Sequence, residues 1–177
     1  MIKKTIVVLS MIALTFSCKS DDDNSVPIIP PISFEYTQEE KDAEIVRIED
    51  YIIDNDITGM IKTESGLFYR IDQQGDGLTP EEGDQVIFHF KTTNLETEEL
   101  LGESNRENNP YGQVVRFDYL IEGFKEGLFL VNEGSILTML VPAYLCYGKY
   151  GQSYGDNYIS AETNLMFEVE LNIVVKP

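Results

Sequence analysis

Side chains able to do covalent or acid–base chemistry are few in this chain and lie far apart. Its 177 residues hold one histidine, His89, and two cysteines, Cys18 and Cys146. His89 falls in Val86-Ile-Phe-His-Phe90, where Val86, Phe88 and Phe90 alternate toward one side. That places His89 on the outward face of a strand, as a solvated residue. No second histidine is present to build a metal site with it. There is no CxxC spacing, no Ser/His/Asp pattern and no phosphate loop. Cys146 reads as a small buried apolar residue.

The stretch that stands out instead is Tyr119-Leu-Ile-Glu-Gly-Phe-Lys-Glu-Gly-Leu-Phe-Leu-Val131. Ile121, Phe124, Leu128 and Val131 fall at i, i+3, i+7 and i+10, one face of a short helix, and Glu122, Lys125 and Glu126 take the wet face. Gly123 and Gly127 lie four apart. A glycine inside a helix costs about 1 kcal/mol against alanine. Two in one short helix therefore predict that another backbone or a ligand approaches it closely.

The elements around this helix read as strands. Ser65-Gly-Leu-Phe-Tyr-Arg-Ile71 is one, followed by turns at Gln74–Gly77 and Pro80–Asp84. Val86–Phe90 is the second. Asn94–Gly112 is polar and loop-like, and Val114–Tyr119 resumes strand character. Ile136–Val141 is a nearly continuous apolar run, as in a strand buried on both faces. Tyrosine and glycine crowd Leu145–Ser160. In Leu165–Ile173, Leu165, Phe167, Val169, Leu171 and Ile173 alternate with Glu168, Glu170 and Asn172, giving the cleanest strand pattern of all. Four or five strands around one helix predict an antiparallel α+β domain over residues 61–177. Before it, Thr37-Gln-Glu-Glu40 is a capping box. Ile45, Ile48 and Ile52 follow at helical spacing, so a helix runs from about Gln38 to Asn55 within an N-terminal segment, 37–60. Docking on the domain is its expected role; pairing with a second copy is the other.

The first residues have a different character. Lys3 and Lys4 precede a short apolar run, Thr5–Phe16, well below the roughly 20 residues that span a bilayer. Residues 1–17 read as a secretory signal. Leu14-Thr-Phe-Ser-Cys18 resembles the lipobox of bacterial lipoproteins, which implies cleavage before Cys18 and a lipid on its thiol. Lys19 rather than aspartate would then follow the lipidated residue, which resembles release to the outer membrane. Asp21-Asp-Asp23 resembles the export signal of surface-exposed lipoproteins or is a solvated tether, so the anchored chain would face the periplasm or the cell surface. Residues 18–36, with three aspartates and three prolines, form a spacer. Ile28, Ile29 and Ile32 suggest that its end lies on the domain. With net charge −18 and no basic patch, nucleic acid is not expected as a partner.

The order of motifs then becomes specific: Gly83-Asp84, Val86-Ile-Phe-His-Phe90, Leu120-Ile-Glu-Gly-Phe-Lys-Glu-Gly127, Glu133-Gly134, Val141-Pro-Ala-Tyr-Leu-Cys-Tyr-Gly148 and Leu165-Met-Phe-Glu-Val-Glu-Leu171. This series resembles the FKBP-type peptidyl-prolyl cis-trans isomerases over about Gly66–Val175. With the lipobox, the spacer, the capped helix and Thr63-Glu-Ser-Gly-Leu-Phe-Tyr69, it resembles the gliding-motility-associated FKBP lipoproteins in particular. The resemblance implies a curved antiparallel sheet wrapped around one short helix, with a pocket between them. It implies Phe124 as the pocket floor and Phe90, Ile121, Tyr147 and Phe167 as further catalytic positions. Leu101, Leu120 and Ile159 would bind substrate, with one more wall at either Val115 or Tyr111. It implies no cofactor and no metal. Proline-containing polypeptides would be the clients, and FK506- or rapamycin-type macrolides candidate ligands. In the family, the backbone N–H at the Ile121 position and the hydroxyl at the Tyr147 position hold substrate carbonyls.

Departures accompany the match. The family's strand tyrosine is Phe90 here, and its F-D pair is Leu101-Gly102, so a hydroxyl and a carboxylate at the pocket rim are missing. The loop after Tyr147 is longer, and Ile159-Ser-Ala161 replaces I-P-P. An isomerase of reduced activity, assisting the folding of envelope or secreted proteins, is the expectation. A non-catalytic binding or chaperone module, or a component of an envelope machine, is the alternative.

Overall fold

The computed structural model describes residues 35–177 apart from 108, 155 and 156. The signal, Cys18 and nearly all of the spacer, with Ile28, Ile29 and Ile32, lie outside the described residues. The chain opens with α1 (Gln38–Asp54) and then runs through β1 (Ile61–Lys62), β2 (Phe68–Gln73), β3 (Gln85–Asn94), β4 (Leu100–Ser104) and β5 (Gln113–Arg116). Next come α2 (Glu122–Phe129), β6 (Ile136–Val141), β7 (Gln152–Tyr154), β8 (Asn157–Ile159) and β9 (Leu165–Val175). The main sheet is antiparallel in the order β1-β2-β6-β9-β3-β4, with β5 sharing the outer edge of β3 with β4. β7 and β8 form a separate hairpin. Register shifts at Ile71/Gln73, Ile87/Phe88 and Thr92/Thr93 interrupt the ladders. An extra residue on one strand bends it and sharpens its twist.

Both faces of the sheet are covered, by different helices. On one face Phe124 and Leu128 of α2 join Phe88, Leu137, Met139, Phe167, Val169 and Leu171 in the larger core. On the other, Ile48 of α1 packs with Phe68, Leu95 and Leu140, flanked by Ile45, Ile52 and Met166. β6 is therefore buried on both sides, which is why Ile136–Val141 shows no alternation. The capping box forms as the sequence predicts: the Glu40 N–H donates to Thr37 Oγ1 and the Thr37 N–H to Glu40 Oε2. Docking satisfies the isoleucine face of α1, whose Ile48 is fully buried.

Several expectations are corrected. His89 is on the outward face but is not solvated, being only 5% exposed. Its Nδ1 lies 3.4 Å from Ser104 Oγ, and the Lys91–Glu168 and Arg106–Glu170 ion pairs border the same groove. His89 lies on the middle of three adjacent strands, between β4 and β9, and alternation along one strand cannot reveal how its neighbours bury a residue. α2 begins only at Glu122, after a 3-10 turn over Phe117–Tyr119 that ends the expected strand at Arg116. The close approach expected at its glycines comes from within the domain, from side chains and, at Gly123, also from the Leu145 backbone carbonyl, 3.3 Å from an added Cβ. A Cβ on Gly123 would collide with Val141 Cγ1, and one on Gly127 with Met139 Sδ. The sheet's own β6 approaches the helix, and both side chains are fully buried. The strands also outnumber the four or five expected, because β4 lies within the supposed 94–112 loop and the β7–β8 hairpin within 145–160.

Candidate functional site

A cavity of about 410 Å³ opens to solvent between α2 and the sheet. β3 supplies Phe88, Phe90 and Thr92 from one face by simple alternation. Phe167 of β9 pairs directly with Thr92 and carries the aromatic surface onto the next strand. Leu101 and Gly102 come from β4, Gln113 and Val115 from β5, and Tyr119 and Leu120 from the 3-10 turn and its end. Gln152 and Ile159 reach in from the β7–β8 hairpin.

Phe124 is the centre of the arrangement. It is 4% exposed, and its ring meets those of Phe88 and Phe167 at centroid distances of 5.1 and 5.3 Å. Tilted and edge-to-face pairs of this kind are the favoured aromatic geometries and hold a ring in one orientation. Ile121 is the N-cap of α2, extended at φ −65° and ψ 154°, and makes no side-chain cap hydrogen bond. The first-turn N–H groups of α2 thus lack the side-chain acceptor that Ser, Thr or Asp would provide at that position. Tyr147 stands between two 3-10 turns, Ala143–Leu145 and Gly148–Tyr150, in the connection from β6 to the hairpin. On the other side, Asp118 accepts hydrogen bonds from the Gly83 N–H at 3.0 Å and Arg116 Nη2 at 2.8 Å. The Gly83 bond first, then the Arg116 guanidinium, hold its carboxyl below the usual range. These bonds fix the turn that carries Tyr119 and Leu120.

No Asp, Glu, Lys, Arg or His is among the lining residues. His89 lies in a different groove. Among the described residues no group of three or more His, Cys, Asp or Glu side chains could hold a metal ion. The cavity can therefore desolvate and grip an apolar segment, with hydrogen bonds from backbone, amide and hydroxyl groups.

All nine residues singled out as catalytic or substrate-binding within the domain, Phe90, Leu101, Val115, Leu120, Ile121, Phe124, Tyr147, Ile159 and Phe167, line this one cavity. Between Val115 and Tyr111 the structure chooses Val115; Tyr111 is 84% exposed and not in the lining. Sequence reasoning missed Phe88, Thr92, Gln113, Tyr119 and Gln152 as lining residues. Phe88 and Thr92 share the face of Phe90 and could have been found by extending the alternation. Gln113, Tyr119 and Gln152 carry no such signal, because only the tertiary fold turns their segments toward the cavity.

An antiparallel sheet packed on one short helix, with an aromatic hollow between them, defines the chain's class: it belongs to the family of FKBP-type peptidyl-prolyl cis-trans isomerases, whose model matches residues 77–172. Among individual proteins it is similar to the FKBP-type peptidyl-prolyl cis-trans isomerase FkpA of Escherichia coli K12, 33% identical over 118 residues, covering 66% of this chain and 41% of FkpA. FkpA of Aeromonas hydrophila is 31% identical over 121 residues, 67% of this chain and 42% of that one. The chain thus matches less than half the length of these curated relatives. The crystal structure of Escherichia coli FkpA superposes with a TM-score of 0.61 at 25% identity, covering 78% of this chain and 62% of that one. A peptidyl-prolyl isomerase from Pseudomonas syringae pv. tomato shares the fold at TM-score 0.61 and 21% identity, with 80% of this chain and all of that chain covered.

Proposed function

We propose that this protein is a lipid-anchored peptidyl-prolyl isomerase acting on proline-containing segments of envelope or secreted proteins. The observation that carries the reading is the Phe124-floored cavity, open above and free of charged lining. Rotation about an X-Pro bond crosses a barrier of about 18–20 kcal/mol, because twisting breaks amide resonance. The twisted amide has less charge on oxygen and a more basic nitrogen. Stripping water from the planar, more polar amide therefore costs more than stripping it from the twisted one. An apolar hollow that favours the twisted form lowers the barrier by differential binding, with no base or nucleophile. The Ile121 N–H and the Tyr147 hydroxyl hold the substrate carbonyls on either side of the rotating bond. FK506-type macrolides compete for the same hollow.

Phe90 and Gly102 favour a second reading. Both line the cavity, one without a hydroxyl and the other without a carboxylate, so the domain could hold a proline segment without turning it over. A proline-peptide isomerisation assay on the protein lacking residues 1–18, with and without Phe124→Ala, separates the two. A rate above background that the substitution abolishes supports the enzyme. Peptide binding without any rate leaves the binding module.

The lipid anchor is proposed from Cys18 after Ser17 at the end of the apolar run. One acyl chain holds a protein to a membrane only marginally, and stable anchoring takes more than one. Labelled palmitate incorporated in cells expressing the full chain, and lost in Cys18→Ser, supports it. Cell fractionation and protease shaving then decide between the periplasmic and surface faces of the outer membrane.

A further inference from the structure

We propose that Glu44 and Glu40 of α1 are positioning residues for Tyr147, gripping the pocket loop on both sides of that residue from behind the cavity. On the near side, Glu44 Oε2 accepts the Ala143 N–H at 2.7 Å, at the start of the turn that leads to Tyr147. Asn164 Oδ1 shares that donor at 2.9 Å. On the far side, Lys149 Nζ donates to Glu40 Oε1 at 2.6 Å and to the Glu35 carbonyl at 3.3 Å. Between them, the rings of Tyr36 and Tyr144 meet at 5.8 Å, and the Lys149 ammonium lies 4.9 Å from the Tyr36 ring centroid.

A glutamate is seldom fully buried unless it is paired. Glu44 is 2% exposed, and its Arg47 partner stands 3.4 Å away with a half-exposed side chain. Burial pushes the Glu44 carboxyl up, with the Ala143 hydrogen bond and Arg47 opposing. Burying a carboxyl costs free energy that its hydrogen bonds and ion pair must offset, and fixing a particular geometry is one attested use of such a group. Here the geometry specified is the path of residues 143–149. β6 ends at Val141, and the next strand begins only at Gln152. The loop carrying Tyr147 therefore lies outside the main sheet ladder, and α1 supplies part of the fixing that a ladder would otherwise give. A hydroxyl that must meet a substrate carbonyl works only if its backbone is held, since small misplacements of a binding group cost large factors in rate.

The inference rests on the isomerase reading for its functional consequence, but its test has an independent readout. Amide exchange over residues 143–149 and isomerisation are measured on Glu44→Ala, Glu44→Gln and Lys149→Met. Lys62→Ala is the control, because it breaks the 2.7 Å Glu49–Lys62 pair that ties α1 to β1, away from the loop. Glu44→Ala and Lys149→Met are expected to speed loop exchange about tenfold. They should also lower kcat/KM about three- to tenfold. Glu44→Gln keeps an acceptor and should hold both near the parent values, and Lys62→Ala should leave the loop unchanged. If Glu44→Ala does not fold, Lys149→Met decides, since it leaves α1 intact. Parent-like loop exchange in the alanine and methionine variants overturns the proposal, as does equal loosening by Lys62→Ala. A loosened loop in a protein with no isomerase rate removes the enzyme reading and leaves the brace standing.

Discussion

The ring of Phe124 meets that of Phe167 edge to face, 5.3 Å between centroids and at 90°. One ring comes from α2 and the other from β9, so this contact joins the helix to the sheet at the bottom of the cavity. Phe124→Ala should cost about 3–5 kcal/mol of stability, as large-to-small core changes of phenylalanine do. It should also lower kcat/KM by about a hundredfold through loss of the floor. Phe124→Leu separates the effects: denaturant titration should show most of the stability restored, whereas the isomerisation assay should not show the rate restored.

Phe90 and Gly102 face the same cavity from β3 and β4. Phe90→Tyr combined with Gly102→Asp replaces the hydroxyl and carboxylate that the family carries at these positions. A hydrogen bond nets about 1 kcal/mol, or about fivefold in an equilibrium or a rate. The double variant should therefore raise kcat/KM by about that factor, read in the same peptide assay. No gain would mean that the rim groups do not limit turnover in this chain.

The two glycines of α2 should respond unequally to alanine. Helix propensity alone favours both changes by about 1 kcal/mol each. Against that, the new Cβ of Gly123→Ala meets Val141, a branched side chain with little freedom, as well as Leu145. The new Cβ of Gly127→Ala meets the thioether of Met139, which is flexible though fully buried. Overpacking costs about 1–3 kcal/mol. Urea unfolding should show Gly123→Ala clearly destabilised and Gly127→Ala nearer to neutral.

Cys146 is only partly buried rather than fully so, yet desolvation of its sulfur raises the thiol well above its ordinary range, and its Sγ lies 3.7 Å from the Val141 carbonyl. In the folded chain it stays protonated where an unfolded thiol, ionising near about pH 8.5, would lose its proton. The folded form therefore holds more protons, so this contribution to stability is present below about pH 8.5 and is lost as pH rises toward the folded value. Iodoacetamide should label native protein slowly at pH 8 and unfolded protein fast. Relative to the parent, Cys146→Ala should lose less stability between about pH 8 and pH 10.

Legibility in the sequence followed the range of the physics. The capping box at Thr37–Glu40, the isoleucine face of α1 and the alternation of β9 are local patterns, and each is set by neighbours within a few residues. The two-faced burial of β6 was legible for the same reason, as a run without polar interruption. β4, β7 and β8 were not: they are three to five residues long, and tertiary pairing rather than local pattern makes them strands.

By itself the sequence determined the elements with strong periodicity, the ordered motifs that mark the family and the residue types that meet at the cavity. The tertiary structure alone decided that His89 is buried, because β4 and β9 flank β3 on either side and His89 sits in the groove between them, beside Ser104 and Glu170. It alone decided that Val115 rather than Tyr111 forms the wall, because β5 lies against β3 at Val86–Val115 while Tyr111 remains in the preceding loop. It alone brought Glu44 to Ala143, 99 positions apart in the chain. Contacts between segments so distant depend on register and packing, which no window of neighbouring residues encodes.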